Sequence, residues 1–341
     1  MLTIVVYAEG GMSGKRLMVC LMALLGVMGG TRDADAHGLI GKCFLPATLA
    51  IDDPFVADEL SLPTVSHIKT PASADSPAVK ETDLSAELSK RLTPDLGISF
   101  DGTYRILDQE NDVTLKGFDN LGVSLKYVFF RNPEHQALIA AGASWDVGGT
   151  GSSKVGAESF DRVTPKLFWG KCLGDLPEQV AFLQPLVFTG VFGVSIPTRH
   201  ATETIGVDPD TGAADIHSTA NPSVAVWGFT VQYNLYYLQS FVRDVGLRAP
   251  FNRLIPLVEF AMQTPLDDPK TAGRTTGTIN PGVIWFGRYV QVGVEAQIPV
   301  NERTGKNIGI VGQLHFYLDD IAPRIFTWTP FHGVLGPTQP R

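Results

Sequence analysis

The stretch YVQVGVEAQIP, Tyr289 to Pro299, alternates strictly. Val290, Val292, Val294, Ala296 and Ile298 fall on one side, and Gln291, Gly293, Glu295 and Gln297 on the other. Successive side chains of a β-strand point to opposite faces, so the stretch reads as a strand with one apolar and one polar face. A soluble protein would turn the apolar face into a core. A membrane barrel does the reverse, with the apolar face on lipid and the polar face on the lumen. What surrounds the stretch decides between the two.

Similar period-2 segments run through the chain, among them LPTVSHIK (62–69), LGISFDGTYRI (96–106), LGVSLKYVFF (121–130), SVAVWGFTVQYNLYYL (223–238) and NIGIVGQLHFYL (307–318). Twelve can be counted, most of about ten residues or more. That length suits a tilted bilayer-crossing strand of ~9–11 residues better than a soluble strand of ~5–6. The connections carry more information than the strands. After the second, fourth and tenth strands they are tight: Thr93-Pro94-Asp95, Asn132 to His135, and Gly287-Arg288. After the odd-numbered strands they are mostly longer and polar, up to PTRHATETIGVDPDTGAADIHSTAN (197–221). Alternating short turns and long loops, with an even strand count, mark outer-membrane barrels. The expected fold class is all-β, a closed antiparallel up-and-down transmembrane β-barrel of about 12 strands. The connections 173–179 and 240–252 are longer than this pattern wants. Pro165, Pro185, Pro256 and Pro281 each remove a ladder donor.

Composition agrees. The chain has 341 residues, a net charge of −8, only 18% charged residues, 35 glycines and 23 prolines. Acids and bases are interspersed, so no basic stripe suggests nucleic acid. Lys15-Arg16 followed by LMVCLMALLGVM (17–28) and Ala34-Asp35-Ala36 reads as a signal peptide over 1–36, with Met12 as the expected start. The expected organisation continues with a periplasmic N-terminal segment (37–61), the barrel (62–318) and a periplasmic C-terminal tail (319–341). The N-terminal segment either enters the lumen as a plug or hangs free. Cys43 and Cys172 both fall on the periplasmic side, where they form either a disulfide or two free thiols.

Aromatic residues gather near strand ends, as in interfacial girdles: Phe129, Phe130, Trp169, Phe182, Tyr237, Trp285, Tyr289, Phe316 and Tyr317 at the inner ends, Tyr104, Trp145 and Trp227 at the outer. In the barrel reading the lumen receives Glu87, Asp101, Arg105, Lys126, Lys166, Glu259, Glu295, Gln297, Gln313 and His315. Both signs are present, so these residues form either a polar pathway or an internal salt-bridge network. His315 has no serine in a lipase-type motif, so no catalytic residues are expected; no metal site or cofactor is expected either.

ETDLSAELSKRLTPDLGISFDGTY (81–104), LGVSLKYVFFRNPEHQALIAAGASWDVG (121–148) and GVEAQIPVN (293–301) resemble the exported barrel proteins of the phenol meta-pathway MetA type, over roughly residues 62–318. The resemblance implies an outer-membrane location and passage of small hydrophobic compounds, and supplies no catalytic residues. The expected function is a passive outer-membrane channel or transporter for small, hydrophobic or aromatic molecules. The partners would be outer-membrane lipid and a small-molecule solute, without nucleic acid, and the oligomeric state is open. The alternatives are a structural or surface-interaction barrel with a filled lumen, and a soluble exported β-sandwich. On the barrel reading, Val294→Arg impairs assembly and Gln291→Arg is tolerated.

Overall fold

The structure, a computed structural model, describes residues 38–72, 78–109, 113–207 and 214–331. The signal peptide expected over 1–36 lies outside the described residues, as does the end of the C-terminal tail. One antiparallel sheet closes on itself. Its wall strands are β1 (Glu59–Thr70), β2 (Val79–Arg91), β3 (Leu96–Gln109), β4 (Leu121–Asn132), β5 (Ala137–Val147) and β6 (Arg162–Cys172). They continue with β7 (Leu186–Pro197), β8 (Val224–Tyr233), β9 (Leu254–Pro265), β10 (Thr276–Phe286), β11 (Val290–Pro299) and β12 (Gly309–Tyr317). Each pairs with the next, and β12 pairs with β1, so no edge is left open. This is a twelve-stranded up-and-down barrel, and a two-sheet sandwich does not describe it.

The opening stretch shows why the sheet closes this way. In β11 the exposed residues are Val292, Val294 and Ile298, while Gln291 and Glu295 are buried inside. The same inversion holds in β4 and β6, where Leu121, Leu125 and Tyr127, then Val163, Leu167 and Trp169, stand exposed on the outside. An apolar belt on the outside of a closed barrel is stable against hydrocarbon and not against water.

Irregularities sit where the chain chemistry demands them. The register of β4 against β5 shifts between Val128 and Phe130, and this bulge leaves both Phe129 and Phe130 exposed. Pro63 lies inside a register shift of β1 against β2. Around Pro281 the pairing of β10 with β11 lapses between Ile279–Ile298 and Gly282–Glu295. Around Pro165 the β6–β7 ladder lapses in the same way. A proline has no N–H to donate, so each gap falls where a donor is missing.

One end of the barrel carries the tight turns 92–95, 133–136 and 287–289, and is called the turn end here. The two long connections at this end contain short helical turns, Glu178–Leu183 and Leu235–Tyr237. The opposite, loop end carries two elements that the sequence reading passed over. The four-residue strand Leu115–Phe118 adds to the outer part of β3, and a hairpin, Ala201–Val207 with Ala214–Ala220, rises between β7 and β8. Two girdle expectations are corrected. Tyr237 and Tyr317 are buried, because Tyr237 lies in the helical turn at the mouth and packs on Phe241, and Tyr317 is on the inward parity of β12.

Candidate functional site

Residues 38–58 lie in the lumen, and β1 begins at Glu59, three residues before the expected boundary. The segment opens with a small hairpin, Leu39–Ile40 with Cys43–Phe44. Its apolar residues Ile40, Leu45 and Phe55 pack with inward-facing Val128, Leu138, Phe168 and Val187 of the wall. Phe44 and Leu49 pack with Ile255, Leu257 and Ile284 on the opposite side. All these wall residues lie toward the turn end, where they form the apolar part of the lumen packing. Cys43 is disulfide-bonded to Cys172 at the turn end of β6, with Cα atoms 6.4 Å apart.

Charge fixes the segment higher up. Glu259, fully buried on β9, accepts the backbone N–H groups of Leu49, Ala50 and Ile51 at 2.8, 2.9 and 3.1 Å. Gln291 Nε2 donates to Ala47 O at 2.7 Å, and Gln291 Oε1 accepts from Tyr317 Oη at 3.2 Å. Glycines let the segment approach: a Cβ at Gly293 would lie 2.6 Å from Leu49 Cδ1. Lys126 Nζ holds Asp53 at 3.1 Å and Lys166 Nζ holds Asp52 at 2.6 Å. Lys166 draws the Asp52 carboxyl below its usual range against the effect of burial. Burial pushes Asp53 up, with Lys126 opposing it. At the turn end, fully buried Asp58 accepts from Lys90 Nζ at 2.7 Å, Arg91 N at 2.9 Å and Arg91 Nε at 2.8 Å. Arg91 also reaches Asp319 at 2.8 Å, tying the end of the barrel to the chain beyond β12.

The remaining residues expected in the lumen divide into groups. Arg105 is fully engaged, with both Asp83 oxygens at 2.9 Å, Glu81 at 3.1 Å and Asp119 at 3.0 Å. His315 Nδ1 is 2.8 Å from Ser61 Oγ, and its Nε2 is 3.4 Å from Glu59. Gln297 accepts from Ser66 at 3.2 Å, and Gln313 donates to Thr64 at 3.3 Å. Buried Glu295 lies beside Glu259 and Asn280 inside the barrel. Glu87 and Asp101 line a cavity of about 380 Å³ between the inner segment and the wall from β12 through β1 to β6. Serines and threonines of β1–β5, together with Asp146, complete much of its lining.

Several of these groups were not singled out from the sequence. Asp146 shares the inward parity opposite exposed Trp145, a signal that was available in β5. Asp52, Asp53 and Asp58 carry no periodic signal, because they sit in an irregular segment. The expected tolerance of Gln291→Arg does not survive, since Gln291 is fully buried against the inner segment and has no room for a longer cation.

No family model matches the chain, and no curated protein matches it. Among solved structures it is similar to an outer membrane channel from Pseudomonas putida F1, at 13% identity and a TM-score of 0.51, covering 76% of this chain and 95% of that one. It is also similar to the NanC porin (9% identity, TM-score 0.40, 75% and 98% covered) and to the β domain of the Bordetella autotransporter BrkA (11%, 0.45, 76% and 98%). The last two likenesses are too loose to carry an argument. With its closed wall, its external apolar belt and the fold it shares with the first of these, the chain is an outer-membrane β-barrel.

Proposed function

We propose that this barrel is a passive channel for small polar solutes, narrowed by its own N-terminal segment. The observation that carries the reading is the cavity of about 380 Å³ beside that segment. Its lining of hydroxyls and carboxylates is what a water-filled path needs and what a packed core lacks. In this reading the turn end faces the periplasm. The lining favours hydrophilic solutes over the hydrophobic or aromatic ones that the resemblance to MetA-type proteins implies. Bilayer recording on the purified, disulfide-intact protein should give discrete conductance steps. They should grow when Lys126→Ala and Lys166→Ala release Asp53 and Asp52.

A second reading, a structural barrel with a filled lumen, draws on the apolar packing and the disulfide toward the turn end. If neither the wild type nor the double variant passes current, while both migrate as heat-modifiable folded barrels, the second reading holds.

A further inference from the structure

One row of wall residues breaks an ordinary rule of sheet stability. Across β2, β3, β4, β5 and β6 the register runs Glu87–Asp101–Gly122–Asp146–Arg162. Glu87 and Asp101 are direct cross-strand partners, an arrangement of like charges that costs stability. Asp101 and Asp146 flank Gly122, and the Asp101 carboxylate occupies the space that a side chain at 122 would fill. The arginine that ends the row is not available to them, because Arg162 is held by both Glu158 oxygens, at 2.5 and 2.8 Å. Among the described residues, none of the three carboxylates has an ion-pair partner, and Glu87 takes only a hydrogen bond from Ser89 at 3.2 Å.

The neighbouring bases are committed elsewhere. Lys126 and Lys166, which flank Gly142 in a second row, each hold one aspartate of the inner segment. The cavity is thus lined by six carboxylates (Asp52, Asp53, Glu59, Glu87, Asp101, Asp146) against two lysines, and protonation of His315 beside Glu59 would balance one more. Pairing each lysine with its aspartate leaves Glu87, Asp101 and Asp146 as the surplus. A second group points the same way. Gln313, buried at 8% exposure, lines the cavity from β12, and its buried Oε1 acceptor has no hydrogen-bond partner. The surplus chemistry is all acceptor, and the matching ligand is a donor that carries positive charge.

The geometry also gives the row a direction. Barrel strands tilt by ~35–45° and lie ~4.8 Å apart, so a register row climbs about 3 Å per strand. Glu87 lies four residues from the turn end of β2 at Arg91, whereas Asp146 lies nine from the turn end of β5 at Ala137. The carboxylates therefore form a rising line toward the loop end. They follow a path along the wall and are not a single point cluster.

We propose that Glu87, Asp101 and Asp146, with Gln313 on β12 lining the same cavity, form an acidic ramp that selects cations and small amine-bearing solutes in this lumen. This inference rests on the channel reading and adds the charge class of what passes. Acidic arrays lining a pore select cations by the same electrostatics. The test is the reversal potential of the purified protein in planar bilayers under a potassium chloride gradient. Wild type should prefer potassium over chloride by about tenfold. The triple variant Glu87→Gln/Asp101→Asn/Asp146→Asn should approach no preference, while Glu302→Gln on an exposed loop should change nothing. A non-selective or anion-selective wild type, or a triple variant that keeps the preference, overturns the proposal. Heat-modifiable migration confirms that the triple variant is folded. If the wild type passes no current, the channel reading fails, and calorimetric titration of the detergent-solubilised barrel with spermidine then decides the ramp. Binding weakened about tenfold in the triple variant supports it, and equal binding or none overturns it.

Discussion

Two parts of the lumen share the strands β4 to β6 and behave as different materials. In one part, at the turn ends of β4–β7, β9 and β10, inward Val128, Leu138, Phe168, Val187, Ile255 and Ile284 pack against the inner segment. In the other, along β12 and β1–β6, carboxylates, lysines, serines and threonines surround an open cavity that reaches Glu59, Ser89 and His315 near the turn end. The outer face does not distinguish the two parts, because lipid asks for apolar side chains along the whole strand. The inward face answers to a local partner. Where the segment offers Ile40, Leu45 and Phe55 the wall is apolar, and where it offers Asp52 and Asp53 the wall supplies Lys166 and Lys126.

This contrast can be broken at points of decreasing severity. The largest effect is expected at Asp58. Asp58→Ala leaves Lys90 and Arg91 facing a buried hole, and losing one partner of a buried ion pair costs about 3–5 kcal/mol. Denaturant unfolding in detergent should show that loss, with the turn end failing first under proteolysis. Leu138→Ala, at 2% exposure in the packed part, should cost about 2–5 kcal/mol by the same measurement. A similar truncation beside the cavity, Ser144→Ala, should cost little, because no close packing is lost there. Val294→Arg on the lipid face should cost about 2–4 kcal/mol if it sits near the bilayer midplane, read as loss of heat-modifiable barrel in membranes.

Glu259→Ala should leave the wall intact and loosen the segment, since three part-buried N–H groups lose their acceptor, at about 1–3 kcal/mol in all once water replaces it. Limited proteolysis near residue 50, compared with and without reduction of Cys43–Cys172, should show it. Cleavage under reducing conditions no faster than in wild type would mean that Glu259 does not anchor the segment. At the small end, Lys80→Ala should change stability by less than about 1 kcal/mol, because its pair with Asp108 is exposed and 3.8 Å long.

The alternation of YVQVGVEAQIP and its counterparts was enough to read the wall, because a period of two is a local property and lipid acts uniformly on one face. Short turns alternating with long loops gave the closure and the strand count. The paired strands Ala201–Val207 and Ala214–Ala220 were read as part of a plain loop, because the length and turn residues of 197–221 resemble the other long connections. The same parity was the basis for expecting Glu87, Asp101, Lys126, Lys166 and Glu259 on the inward face.

What those residues do was decided by tertiary structure. Lys166 meets Asp52 across 114 positions and Glu259 meets Leu49 across 210, and both partners lie in a stretch without periodicity. Whether residues 38–58 hang free or fill the lumen left no mark on local pattern, since an irregular segment has none to leave. The sequence by itself determined a barrel with a polar interior, because strand geometry and the bilayer act residue by residue. The three-dimensional arrangement determined which part of that interior is packed and which carboxylates remain unbalanced, because burial and charge pairing are settled only where distant parts of the chain meet.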